Sequence, residues 1–250
     1  MPEQGDCSVT ILLEVCVDSA EGLAAAIEGG AGRIELCSAL ELGGLTPLPS
    51  LMRIAARAPI PVYAMIRPHA GPFIFDGADE EAMMIDIDAV RTSGLAGVVI
   101  GANRPDGTLD MPLIHRLKTH ATGLGSTLHR AFDLVPDADL ALEQAVELGC
   151  ERILTSGCAL KAADGLETLK RISAKAAGRI AIMPGSGIRP TNVGEILKAT
   201  GAREVHGSCS SPVESADPRA VAFGFEAKST NKTDIAVVTQ MRRAIEAVAG

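Results

Sequence analysis

Short runs of β-branched and leucine residues alternate along this chain with longer, alanine-rich stretches in which apolar positions recur every three to four residues. These are the two periods that mark strands and amphipathic helices. The apolar runs predict strands at Leu12–Cys16, Arg33–Leu36, Val62–Ile66, Gly97–Ile100, Ser126–His129, Arg152–Thr155, Ile180–Met183 and Glu204–His206. Between and after them the helical period predicts Ser19–Glu28, Ser50–Ala58, Asp79–Ser93, Met111–His120, Asp137–Leu148, Gly165–Ala177, Asn192–Thr200 and Asp234–Val248. Ser19 and Asp234 precede helical runs as capping residues, and Gly29-Gly30, Gly94, Gly149 and Gly201 follow them as stop signals. Eight strand–helix units in strict alternation predict an α/β fold, a (β/α)8 TIM-like barrel. No Gly-x-Gly-x-x-Gly follows the first strand, which disfavours the doubly wound alternative. Residues 212–233, with two prolines and two phenylalanines, read as an irregular loop before a last helix within 234–249.

Length supports one domain: 250 residues is the size of a single eight-fold barrel spanning 1–250. A net charge of -8 argues against nucleic acid or an acidic membrane as partner, and 2% aromatic content leaves no stacking surface for single strands. No apolar run approaches the ~18 residues of a membrane span. Met1–Ser8 lacks the layout of a secretion signal, so a cytoplasmic location is expected. Six scattered cysteines are expected as thiols, not as a disulfide framework.

In a barrel of this kind, chemistry sits at the carboxyl ends of the strands. Strand parity then sorts side chains. With Val15 and Leu36 facing the helices, Glu14, Cys16, Glu35 and Cys37 turn towards the barrel axis, a repeated Glu-apolar-Cys phrase on adjacent strands. Two thiols meeting at the mouth would be a soft donor pair suited to Cu(I), with packing as ordinary small hydrophobes the alternative. Cys7, Cys150 and Cys209 read as fillers. Arg67 points inward as a fixed cation beside the two glutamates, able to receive an anion. His129, with Asp133 close by, is a candidate acid–base group at the mouth, and His206 ends the eighth strand. The Pro184–Arg189 loop, with Gly185, Ser186 and Gly187, falls where many barrels hold phosphate, and Ser156 lies in the loop after strand six.

Taken in order, Glu14-Val15-Cys16-Val17-Asp18-Ser19, Arg33-Ile34-Glu35-Leu36-Cys37-Ser38, Gly43-Gly44-Leu45-Thr46-Pro47, Met65-Ile66-Arg67-Pro68, Asp110-Met111-Pro112, His129-Arg130-Ala131-Phe132-Asp133, Leu154-Thr155-Ser156-Gly157, Gly185-Ser186-Gly187-Ile188 and Glu204-Val205-His206 resemble the phrases of the CutC family. The resemblance runs from about residue 11 to 211. It implies a TIM-like barrel, a homo-oligomer (dimer or tetramer) and a role in copper homeostasis. Cu(I) would be held by the two cysteines that correspond to Cys16 and Cys37. No organic cofactor is expected. Two readings stay open at this point: a copper-binding protein, and a metal-independent barrel enzyme acting on a small anionic or phosphorylated substrate. In the second, Glu14, Glu35, His129 and Asp133 would be catalytic, while Arg67, Ser156, Gly185, Ser186, Gly187 and His206 would bind substrate.

Overall fold

The computed structural model describes residues 10–249. Cys7 and the Met1–Ser8 segment lie outside the described residues. Eight parallel strands, β1 (Leu12–Val17), β2 (Arg33–Leu36), β3 (Val62–Met65), β4 (Gly97–Ile100), β5 (Gly125–Leu128), β6 (Arg152–Thr155), β7 (Ala181–Pro184) and β8 (Glu204–Gly207), form one sheet in the order β7-β6-β5-β4-β3-β2-β1-β8. β7 and β8, the two ends of that order, pack side by side and nearly close the sheet into a barrel. Parallel neighbours need a crossover between them. Helices α1 (Ala20–Glu28), α2 (Pro49–Ala55), α3 (Gly77–Ser93), α4 (Met111–His120), α5 (Ala138–Glu147), α6 (Leu166–Ala176) and α7 (Val193–Thr200) supply it. Among the described residues, no helix is long and apolar enough to cross a membrane.

Local chemistry sets the helix ends. Ser19 Oγ accepts from the Gly22 N–H at 3.0 Å and opens α1. α3 starts before the expected Asp79 because Asp76 accepts from the N–H groups of Ala78 and Asp79 while the Asp79 carboxylate accepts from the Asp76 N–H, a reciprocal cap. Gly94 and Gly201 end α3 and α7 at φ of 80° and 65°, where a side chain would be strained.

Strand parity divides the interior in two. Leu13, Val15, Ile34, Leu36, Ala64, Val98 and Ile100 are fully buried between sheet and helices and form the main core. The opposite parity places Glu14, Arg33, Glu35, Cys37, Tyr63 and Met65 inside the barrel, also buried. The barrel axis is therefore unusually polar, and this is what builds the site.

One expectation fails. Residues 212–233 are not an irregular loop: β9 (Ser210–Glu214) and β10 (Ser229–Thr233) pair antiparallel, with a short helix α8 (Pro218–Ala222) between them. Both strands are polar and largely exposed, so neither face carries the apolar alternation from which strands are read. Pro212 is tolerated there because a two-stranded ribbon has free edges. The last helix, α9 (Ile235–Ala249), follows directly, with Asp234 accepting from the Ala236 N–H.

Candidate functional site

The floor of the barrel interior is a closed ionic network. Arg33 donates through Nε to Glu14 Oε2 and through Nη2 to Glu204 Oε2. Arg152 donates to the same Glu204 oxygen at 2.9 Å, to Thr127 Oγ1 at 3.1 Å and to Glu151 at 3.1 Å. The Tyr63 hydroxyl donates to Glu151 at 2.8 Å, and the Arg152 guanidinium lies over the Tyr63 ring. Arg33 was not among the expected site residues, although it shares the parity of Glu35. It, not Arg67, is the cation beside Glu14.

Above this floor the register decides which donors meet. Cys16 on β1 stands opposite Glu35 on β2, because Glu14 pairs with Arg33. The repeated phrase is thus offset by two residues, so the equivalent residues of the two strands do not face one another. One ligand atom each from Cys16, Glu35 and His206 lie within 4.8 Å of one another, all three residues buried. Cys37 is not in this group. It is fully buried behind Glu35, donates to Glu35 Oε2 at 3.6 Å and packs with Tyr63, Met65 and Val99. His206 connects the layers: its Nδ1 lies 2.9 Å from Glu14 Oε1 and its Nε2 3.8 Å from Glu35 Oε2.

These contacts split the ionisation of the groups. Burial alone would raise the Glu14 pKa, but the His206 hydrogen bond and the Arg33 charge outweigh it and hold the carboxyl down at about 2. Glu35, buried and facing the Glu14 charge, is pushed up. Burial also drives the Cys37 thiol well above its ordinary range, helped by Glu35. Burial disfavours a charged His206, yet the acidic groups around it, Cys16, Glu35 and Glu14, raise its pKa well above that of free imidazole. Two carboxylates driven apart in this way are the arrangement by which one site holds a base and an acid together.

The other wall carries Arg67 and His129. Arg67 follows β3, is buried, and is held by backbone carbonyls rather than by Glu14 or Glu35. His129 follows β5, and its Nδ1 accepts from the Ala131 N–H at 3.1 Å. Gly101 makes room for the ring: a Cβ there would come within 2.6 Å of His129 Cε1 and Nδ1. Burial, with the Arg67 charge nearby, lowers the His129 pKa to about 3, so the imidazole is neutral in the ordinary pH range.

A cavity of about 540 Å³ opens over these groups, lined by Cys16, Glu35, Arg67, His129, Ser186 and His206 among others. Asp133 and Gly187 also reach it. Asp133, however, accepts from Thr155 Oγ1, from the Ser156 and Cys158 N–H groups and from Arg130, which makes it the clasp of the β6 loop. Ser156 is fully buried in that clasp and does not line the cavity. Glu14, Cys37 and Gly185 lie behind the wall, and a Cβ on Gly185 would strike Leu154 Cδ1 at 2.5 Å. Cys209 and Met241 line the cavity and were not anticipated, since one lies past the end of β8 and the other on α9. Burial raises the Cys209 thiol to about 12, with Cys16 adding to the effect.

Residues 11–211 match the CutC family model. A CutC family protein from Sinorhizobium medicae is 56% identical over 239 residues, covering 96% of this chain and 98% of that protein. One from Caulobacter vibrioides is 55% identical over 240 residues, covering 95% and 98%. Among solved structures, a CutC protein from Streptococcus agalactiae, provisionally assigned to copper homeostasis, superposes with a TM-score of 0.76 at 29% identity, over 80% of this chain and 99% of that one. The thiamine phosphate pyrophosphorylase of Pyrococcus furiosus, with a TM-score of 0.59 at 19% identity over 98% and 100% of the two chains, shares the barrel fold alone. On the family match and on identities above one half across nearly its whole length, the chain belongs to the CutC family.

Proposed function

We infer that this protein handles Cu(I) as cargo, binding it at the barrel mouth through Cys16 Sγ and His206 Nε2, with Glu35 beside the ion. The observation that carries this reading is the convergence of the Cys16, Glu35 and His206 donors within 4.8 Å. Thiolate and imidazole are the ligand types that suit Cu(I), and two such donors match its low coordination better than the four that Zn requires. Glu14 strengthens the fit. By engaging His206 Nδ1 it orients the ring and aims Nε2 at the ion, which would take the place of the proton that Nε2 carries in the metal-free protein, the carboxylate–histidine arrangement common to metal sites. Cys37 acts from behind, through Glu35, in place of the second ligand expected from the resemblance. The same reading takes the protein as a cytoplasmic homo-oligomer, where its thiols stay reduced.

X-ray absorption on the Cu(I)-loaded protein tests it. One sulfur and one nitrogen neighbour are expected, with the sulfur lost in Cys16→Ser. A spectrum unchanged by that substitution overturns the assignment.

A second reading has its own observation. Glu35 is pushed up and its Oε1 has no partner, while Glu14, behind the wall, is held ionised against His206, a layout that suits acid–base work by Glu35 and His206 on a small anionic or phosphorylated substrate. Turnover in a metabolite screen that survives chelation of metals and disappears in Glu35→Gln would support it. Turnover untouched by Glu35→Gln would remove it.

A further inference from the structure

Arg67 is a buried cation with no anion to answer it. Its Nη1 donates to the carbonyls of Leu42 at 2.9 Å and Gly44 at 3.1 Å, and its Nη2 to that of Gly71 at 2.8 Å. All three acceptors are neutral, and among the described residues the guanidinium enters no ion pair. A guanidinium has five N–H donors in a fixed fork. These contacts leave the Nε–H, which is buried without a partner, and one further hydrogen. A buried charge in this condition is costly unless something completes it.

His129 presents a second unmet donor on the same wall. Because Nδ1 accepts from the Ala131 N–H, the ring proton sits on Nε2, and this buried N–H also has no partner. One side chain covers both groups. The Phe73 ring centroid lies 4.8 Å from Arg67 Cζ and 4.6 Å from the His129 ring centroid. Phe73 belongs to the irregular segment between β3 and α3, which contains Gly71 at a φ of 109° with open space around it.

We propose that Arg67 and His129 form a subsite for the oxyanion of a small molecule, a carboxylate or a phosphate, in the mouth cavity, and that Phe73 covers the two donors until the ligand enters. The remaining fork of Arg67 fits two oxygens of such a group, and the His129 Nε2–H adds a third, neutral donor. The subsite is independent of copper. Its donors are hard N–H groups, and Arg67 repels a cation.

The test uses metal-free protein titrated with inorganic phosphate and, separately, with malonate, following the His129 Nε2–H resonance by NMR in the wild type, Phe73→Ala and Arg67→Lys. A saturable shift is expected, about tenfold or more weaker in Arg67→Lys, as loss of charge-assisted hydrogen bonds requires, and no weaker in Phe73→Ala. A response to phosphate alone identifies a phosphate subsite and a response to malonate alone a carboxylate subsite. Either supports the proposal. It is overturned if neither anion shifts the resonance at millimolar concentration in both wild type and Phe73→Ala, or if Arg67→Lys binds as the wild type does. Should Arg67→Lys not fold, His129→Gln replaces it, with anion binding then read by calorimetry. A several-fold loss of affinity supports the subsite and unchanged affinity overturns it.

Discussion

The floor and the mouth of the barrel are built from the same residue types and differ in completeness. On the floor, Arg33, Arg152, Glu151, Glu204 and Tyr63 satisfy one another, and Glu14 completes the set from above. At the mouth, Glu35 Oε1, Arg67 Nε and His129 Nε2 are buried without partners. A closed network serves the fold, because each charge taken from water is repaid locally. An open one leaves donors and acceptors for water or a ligand to complete, and such groups concentrate where proteins bind or react. On the reading proposed above, the floor serves the fold and the mouth binds, although only two to four residues of chain separate them.

The contrast can be broken most violently from below. Arg33→Met removes one cation shared by Glu14 and Glu204, leaving Glu14 only His206 and Glu204 only Arg152, and loss of one member of a buried pair costs about 3–5 kcal/mol. Chemical denaturation should show that loss, whereas Glu35→Gln at the mouth should leave stability nearly intact or raise it. Next comes acid. His129 has a folded pKa of about 3, below the 6.5 of free imidazole, so between these values the unfolded chain takes up a proton that the native one refuses. Stability therefore falls as pH drops through that window, by about 1.4 kcal/mol per pH unit for this one group. In His129→Gln, denaturation curves across the same window should flatten by that amount. Glu14, held at about 2, adds a further loss below its ordinary 4.5.

Smaller effects sharpen the assignment of layers. Glu14→Gln keeps a hydrogen bond to His206 but removes the charge that orients it, and supporting carboxylates of this kind are worth about 10–100-fold in metal affinity. A chelator competition should read that loss, at a temperature where circular dichroism still reports a folded barrel, because the substitution also takes from Arg33 the charge that Glu14 supplies. The least effect belongs to the β9–β10 excursion, where Phe223 and Phe225 stack at 6.3 Å with most of their surface exposed. Phe225→Ser should change stability by no more than about 0.5 kcal/mol. A thermal melt checks it.

Much of this was legible in the residues alone, for definite reasons. Strands between apolar flanks announce themselves by period, and parity then turned Glu14, Cys16, Glu35 and Arg67 inward as observed. What the letters did not carry was register. The two-residue offset between β1 and β2 is a property of sheet closure, and it sets Cys16 against Glu35. Arg33, Arg152 and Glu204 escaped notice because each stands at the first position of its strand, where a charged residue reads as a solvent-exposed boundary. Cys209 and Met241 reach the cavity from outside the strands, beyond any parity argument. The β9–β10 ribbon has no buried face, so no hydrophobic pattern could reveal it.

The central claim is that Cys16 and His206, not the two cysteines together, make the metal site. Anaerobic Cu(I) titration against a competing chelator, in the wild type, Cys16→Ser and Cys37→Ser, tests it directly. The account predicts one-to-one binding that Cys16→Ser abolishes and Cys37→Ser retains within about tenfold, as expected of a supporting residue. Equal loss in both variants would restore the paired thiolates, and binding indifferent to Cys16→Ser would remove copper from this site.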